Sequence, residues 1–96
     1  MKIRSIAHKG LERLYVDDNA KGVDAATADK LRKMFAFLEA MEDVDELKAL
    51  TSWRAHSLTG NRRGTISLSV TRNRRLTFMI DAVAREIYDV DLEDYH

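Results

Sequence analysis

The sequence has no cysteine, no proline and only four glycines among its 96 residues. The lack of cysteine excludes disulfides and thiolate metal sites. No segment has the composition of a linker, and the length suits a single domain over residues 1–96. There is no apolar run long enough to cross a bilayer, and the basic first ten residues lack the apolar stretch of a signal peptide. We therefore expect a cytoplasmic protein with no membrane partner.

Acidic residues are missing from one long stretch. Residues 47–80 contain no Asp or Glu, whereas an even spread of the 16 acids would place about six there. Seven basic residues lie in this stretch: Lys48, Arg54, Arg62, Arg63, Arg72, Arg74 and Arg75. Because the net charge is zero, this distribution predicts a positive face that could bind the phosphates of RNA. The alternative is a solvated surface whose arginines pair with acids in the flanking segments.

Hydrophobic periodicity predicts a β-α-α-β-β-β order. A strand over residues 2–7 and a helix over 8–16 precede a second helix, which begins at Asp24 or Thr27 and is followed by a short helical turn over 45–50. The apolar stripe of the second helix is expected to pack in the core: Leu31, Met34, Phe35, Leu38 and Met41. Strands follow at 65–70, 74–80 and 86–90. The fold class is therefore α+β, with two N-terminal helices packed on one face of a small antiparallel-dominated sheet.

Strict alternation in the strands at 65–70 and 74–80 predicts two different sheet faces. The apolar side chains of these strands would face the helices. The polar ones would form an uncovered face: Ser67, Ser69, Arg75 and Thr77. Hydroxyl groups and an arginine with no acid beside them suit a phosphate backbone.

Three motifs stand out. A glycine-bracketed basic loop contains Gly60-Asn61-Arg62-Arg63-Gly64, Arg75 lies in Arg75-Leu76-Thr77-Phe78, and the last residues are Asp94-Tyr95-His96. Together with His56 and Leu58 ahead of the loop, this pattern resembles the HigB-type toxins. These form the plasmid maintenance killer branch of the RelE-like ribosome-dependent mRNA endonucleases. The resemblance extends over essentially the whole chain, although Thr59 and Arg74 replace a lysine and a tryptophan that relatives have.

The resemblance implies the toxin of a type II toxin–antitoxin system. Such a toxin cleaves mRNA in the ribosomal A site without metal or cofactor, by attack of a ribose 2′-hydroxyl on the adjacent phosphorus, and so arrests translation and growth. The implied catalytic residues are Arg75 for the phosphate, His96 as acid or base, Tyr95 as a positioning group, Asp94 as an orienting group, and His56. The expected RNA-binding residues are Arg62, Arg63, Arg72, Arg74 and Ser67.

The resemblance also implies several partners. These are a helix-turn-helix antitoxin (HigA-like), the small ribosomal subunit with its mRNA, and operator DNA reached only through the antitoxin complex. His8, His56 and His96 lie far apart in sequence, so no spacing indicates a metal site. Two alternatives remain open: a non-catalytic RNA- or ribosome-binding module with the same fold, and a purely structural interaction domain.

Overall fold

A computed structural model of the chain describes residues 1–94, in which two helices cover one face of a five-stranded sheet. The helices are α1 (Lys9–Asp17) and α2 (Ala25–Ala40). The strands are β1 (Lys2–Ile3), β2 (His56–Ser57), β3 (Ile66–Ser69), β4 (Arg74–Asp81) and β5 (Glu86–Asp94). Their order across the sheet is β1-β5-β4-β3-β2, with β1 parallel to β5 and the other pairs antiparallel. This confirms the predicted α+β class.

Each helix begins at a side-chain cap. The His8 Nδ1 accepts a hydrogen bond of 3.0 Å from the Leu11 amide at the start of α1. Asp24, and not Thr27, caps α2 by accepting from the Ala26 amide at 3.0 Å. These bonds satisfy amides that have no partner inside the helix, which explains why both helices begin where they do. No helix within residues 1–94 has the length and apolar character needed to cross a membrane.

The core lies between the helices and one face of the sheet. The predicted stripe of α2 is buried there, together with Leu11 and Leu14 of α1. The sheet contributes buried side chains from its three central strands: Leu68, Leu76, Phe78, Ile87, Val90 and Leu92. The stripe is therefore a packing surface, as predicted.

Three strand predictions need correction. Strand β1 contains only two of the six predicted residues, although an isolated bridge from Ile6 to Val90 continues the contact with β5. The two-residue strand β2 was not predicted, because His56 and Ser57 are too short a segment to show alternation. Strand β5 was expected to end at Val90 but continues to Asp94.

A β-bulge lies in the middle of β5. Thr77 pairs with Asp91, whereas Met79 pairs with Tyr88, so β5 has one more residue than β4 between these two pairs. Asp89, within the bulge, has a φ of +53°, in the left-handed region that non-glycine residues seldom adopt. The bulge shifts the inside–outside pattern of the rest of the strand by one residue.

That shift determines which side chains of β5 reach each face. Ile87, Val90 and Leu92 all point into the core. Asp91 and Glu93 are consequently directed to the opposite face, where they meet the polar side chains of β4. The acids at the end of the chain are thus part of the sheet.

Candidate active site

Four strands bring their polar side chains into register on the face away from the helices. His56 pairs with Ser67, Ser67 pairs with Thr77, and Thr77 pairs with Asp91. Residues that pair directly in antiparallel strands project from the same face. The next row across the sheet consists of Ser69, Arg75 and Glu93.

A cavity of about 130 Å³ opens on this polar face. Five of its lining residues were predicted as site residues: His56, Arg62, Ser67, Arg75 and Asp94. The other three were not: Leu58, Thr77 and Glu93. The structure therefore brings together β2 with the loop that follows it, the central strands β3 and β4, and the end of β5.

The polar face is covered, contrary to the prediction of an open one. Ser67 is only 3% exposed and Thr77 only 4%. The loop of residues 58–64, which we call the basic loop, turns back over this face and places the Arg62 side chain on Glu93. A ligand can therefore reach the hydroxyl of Ser67 only from within the cavity.

A bidentate ion pair joins the basic loop to β5. The Nη1 and Nη2 atoms of Arg62 lie 2.7 and 2.5 Å from the two carboxylate oxygens of Glu93. The Thr77 hydroxyl donates to the same carboxylate. The hydrogen bonds from Arg62, helped by the one from Thr77, hold the pKa of Glu93 below its usual value, although partial burial opposes this shift. The same pair raises the pKa of Arg62, so both groups are charged at neutral pH.

The expectation that no acid lies beside the arginines was wrong. Asp91 and Glu93 are on the same face as Arg75, because the bulge turns them there. Asp94 borders the cavity and forms an ion pair with Arg74, in which Oδ1 of Asp94 lies 2.8 Å from Nε of Arg74. The alternative reading of the basic stretch, in which its arginines pair with acids of a flanking segment, thus holds at two positions.

Arg75 occupies the centre of the candidate site. It lies between Ser69 and Glu93 in the cross-strand row and lines the cavity. Its side chain is half-buried, and the Nη1 atom is fully buried. A partly buried guanidinium that lines a cavity is well suited to bind a phosphate group through its fixed fork of donors.

The remaining predicted arginines lie elsewhere. Arg63 and Arg72 are exposed and form no ion pair within residues 1–94. Arg74 projects toward a larger cavity of about 380 Å³ on the helix side of the sheet, next to Lys21 and Thr71. None of these three arginines lines the 130 Å³ cavity in the described part of the chain.

His56 presents an exposed imidazole at the rim of the cavity. Its Nδ1 lies 3.2 Å from the carbonyl oxygen of Arg54. A carbonyl oxygen only accepts, so this contact favours the tautomer with a proton on Nδ1 and a lone pair on Nε2. In that form the imidazole can accept a proton at Nε2.

Two predicted catalytic residues, Tyr95 and His96, lie outside the described residues. Asp94 is the last residue that the structure describes, and it belongs to β5. Among residues 1–94 no group of three His, Asp or Glu side chains comes close enough to hold a metal ion.

Glu93 is the functional candidate that sequence reasoning missed. A signal for it exists in the spacing of the apolar residues Ile87, Val90 and Leu92, which departs from strict alternation after Ile87. Ile87 and Val90 are three positions apart, whereas Val90 and Leu92 are two apart. The extra position indicates a bulge, and a bulge there predicts that Asp91 and Glu93 share the polar face.

Comparison with known proteins gives three findings. A family model described as a RelE-like toxin of the type II toxin–antitoxin system HigB matches residues 4–96. The protein named Endoribonuclease HigB from Proteus vulgaris is 31% identical over 94 residues, covering 98% of this chain and 99% of that one. The solved YoeB/ParE toxin from Agrobacterium tumefaciens superposes with a TM-score of 0.61 at 14% identity, covering 100% of this chain and 99% of that one. At that identity the structural likeness concerns the fold alone.

Proposed function

The chain belongs to the family of RelE-like HigB toxins of type II toxin–antitoxin systems, and on that basis we propose that it is an endoribonuclease that cuts mRNA in the ribosomal A site. The match over nearly the whole chain agrees with the resemblance that the motifs indicated. The relative named an endoribonuclease supports RNA cleavage as the activity. Ribosome dependence and the absence of a metal requirement are part of the proposal.

The proposed reaction needs three chemical roles. A ribose 2′-hydroxyl attacks the adjacent phosphorus, the bond from phosphorus to the 5′-oxygen breaks, and the products are a 2′,3′-cyclic phosphate and a 5′-hydroxyl. One group must take the proton from the 2′-hydroxyl and another must protonate the departing 5′-oxygen. Positive charge must stabilise the phosphorane that forms between these steps.

The convergence of Arg75 and His56 on one cavity is the observation that carries the proposal. Arg75 would hold the scissile phosphate and stabilise the phosphorane, because its guanidinium is half-buried and presented by a central strand. His56 would exchange protons through Nε2. The proposal assigns a second proton-transfer role to His96, a positioning role to Tyr95, and an orienting role to Asp94.

The other predicted RNA-binding residues would act around this centre. Arg62 and Ser67 line the cavity, so they would contact the nucleotide at the cut. Arg63, Arg72 and Arg74 lie outside it and would contact neighbouring phosphates of the mRNA or of ribosomal RNA.

A toxin of a type II toxin–antitoxin system has an antitoxin as its partner. We propose that the antitoxin is a helix-turn-helix protein of the HigA type and that the chain reaches operator DNA only in complex with it. Because the proposed substrate is mRNA on the ribosome, the site of action would be the cytoplasm.

The test is a cleavage assay on translating ribosomes. Purified chain is incubated with ribosomes and mRNA in the presence of EDTA, and the 3′ ends of the mRNA are mapped. The expected result is cutting within the A-site codon that leaves 2′,3′-cyclic phosphate and persists in EDTA. Arg75→Ala should slow these cuts about 100- to 1000-fold, and His96→Ala should abolish them.

The matched control is Arg13→Ala, which removes an exposed arginine from α1 on the helical side of the molecule. It should cut as the unaltered chain does. Ribosome binding without cuts would instead assign the chain to the non-catalytic RNA-binding class. Cuts that disappear in EDTA would overturn the metal-independent mechanism.

A further inference from the structure

Most of the basic loop is exposed to solvent. Residues 59–64 are all exposed, and they include Gly60 and Gly64, which have φ values of +68° and +92°. Two backbone hydrogen bonds join it to Thr65, whose carbonyl accepts from the Leu58 amide at 2.8 Å and whose amide donates to the Arg62 carbonyl at 3.0 Å. Within residues 1–94, the pair between Arg62 and Glu93 is the only side-chain hydrogen bond or ion pair that connects this loop to another element.

The carboxylate of Glu93 is a close chemical match for a phosphodiester. It offers two oxygens in one plane to the two terminal nitrogens of Arg62, and the two non-bridging oxygens of a phosphodiester make the same bidentate pattern. Glu93 is also the cross-strand partner of Arg75, so this internal anion lies next to the arginine proposed to hold the scissile phosphate.

The ion pair is exposed enough to exchange. The Arg62 side chain is 48% exposed and that of Glu93 is 28% exposed. Ion pairs in such surroundings shift an equilibrium by roughly twofold to fivefold, because water and salt screen them. A phosphate that also contacts Arg75 can therefore displace Glu93 from Arg62.

From this geometry we infer that Glu93 is a positioning residue that occupies the guanidinium of Arg62 in the RNA-free protein and releases it to a phosphate of the RNA. The inference rests on the proposed function, since it takes RNA as the ligand. While Glu93 holds Arg62, the basic loop covers the polar face. When the phosphate replaces Glu93, Arg62 becomes part of the RNA contact.

The first measurement compares Glu93→Gln with Glu86→Gln. Glu86 lies at the other end of β5, is 21% exposed and is also bound by an arginine, Arg4 at 3.3 Å. Both substitutions raise the net charge by one, so any general electrostatic effect is common to both. Only Glu93→Gln removes the carboxylate that competes with an RNA phosphate for Arg62.

The affinity is measured on ribosomes programmed with mRNA that carries 2′-O-methyl groups in the A-site codon, which block the attack. Glu93→Gln should bind roughly twofold to fivefold more tightly than Glu86→Gln, and Glu86→Gln should bind within about twofold of the unaltered chain.

A second measurement repeats the comparison in an Arg62→Gln background. Without the arginine there is nothing for Glu93 to release, so Glu93→Gln should now give only the small change seen with Glu86→Gln. In the free protein, hydrogen exchange at the amides of residues 59–64 should be faster in Glu93→Gln than in Glu86→Gln.

Opposite results overturn the inference. A loss of affinity in Glu93→Gln, with its circular dichroism unchanged, would mean that the pair holds Arg62 in its RNA-binding position. An equal gain in the Arg62→Gln background would mean a general charge effect. If Glu93→Gln does not fold, Glu93→Asp takes its place. Its side chain is one methylene shorter, so the carboxylate lies farther from Arg62. The inference again requires a gain in RNA affinity.

The outcomes also separate this inference from the proposed function. Tight binding and normal cutting by the unaltered chain, with no gain in Glu93→Gln, would reject the exchange and leave the nuclease standing. Binding without cutting would reject the proposed nuclease activity. The affinities of Glu93→Gln and Glu86→Gln would still decide whether a phosphate replaces Glu93 on Arg62. Absence of binding by every variant would reject both.

Discussion

The two faces of the sheet are made by the same strands but closed in different ways. Leu76 and Thr77 are neighbours on β4 and are both buried, Leu76 beneath the helices and Thr77 beneath the basic loop. The helical side is closed by many apolar contacts that only unfolding can break. The polar side is closed by a loop that one half-exposed ion pair attaches to β5. Equal burial therefore does not imply equal strength of closure, and the exchange inferred above concerns the second face.

The largest expected effect comes from shortening a core side chain on the helical side of the sheet. Leu76→Ala should lower the free energy of unfolding by about 2–5 kcal/mol, because it removes a fully buried side chain and leaves a cavity. Urea denaturation monitored by circular dichroism measures this. A loss below about 1 kcal/mol would mean that this face is packed as loosely as the other.

The next effect is on the rate of cleavage and comes from the polar side. Arg75→Ala should reduce the rate about 100- to 1000-fold, because it removes the charge proposed to stabilise the phosphorane. Its free energy of unfolding should fall by about 1 kcal/mol or less, so the rate and the stability should separate. A matching loss of stability, or full activity in this variant, would contradict the division between the two faces.

A smaller effect is expected at Thr77. Thr77→Val keeps the shape of the side chain but removes the hydroxyl that donates to Glu93. The free energy of unfolding should fall by about 0.5–1.5 kcal/mol, the usual value of one such bond. Thermal unfolding measures the change, and the same loss in a Glu93→Ala background, which has no acceptor at this position, would show that the bond to Glu93 is not its source.

The smallest effect is on the pH dependence of stability. The pKa of Glu93 is lower in the folded protein than in the unfolded chain, chiefly because Arg62 donates hydrogen bonds to it. This contribution is complete above the unfolded value of about 4.3 and is lost as the pH falls through the lower, folded value.

Urea titrations between neutral and acidic pH test this dependence. The unaltered chain should lose more stability on acidification than Glu93→Gln does. Equal losses would mean that Arg62 does not favour the charged form of Glu93. The pKa of Asp81 is also lowered, chiefly by the hydrogen bond from the backbone amide of Ala84. The unaltered protein and the Glu93→Gln variant both keep this contribution, so it cancels in the comparison.

The parts of the fold that depend on local patterns were predictable. The stripe of α2 has helical spacing, and Leu68, Leu76 and Phe78 alternate with polar residues, so the helices, the central strands and the core follow from sequence. The pairing of β1 with β5 was not predictable in this way. It joins residues 84 positions apart through backbone hydrogen bonds, which leave no local pattern in the side chains.

The candidate site shows the same division. Motifs predicted that His56, Arg62 and Arg75 belong together, and all three line the cavity. The roles of these residues remain predictions. Periodicity alone placed the end of the last strand at Val90, because the bulge interrupts the alternation that would have continued it. Glu93 was consequently assigned to a tail, and its contact with Arg62 was not foreseen.

The bulge at Asp89 also affects how this chain should be aligned with its relatives. Residues on either side of it follow opposite odd–even patterns, so a gap of one position placed before or after the bulge changes which residue of a relative is equated with Glu93. Insertions and deletions in the exposed turn around Val83 leave that correspondence intact, provided the bulge itself is matched. An alignment anchored on Val90 and Leu92 will therefore compare equivalent acids, whereas one anchored on the β4–β5 turn will compare an acid with a core residue wherever a relative lacks the extra position.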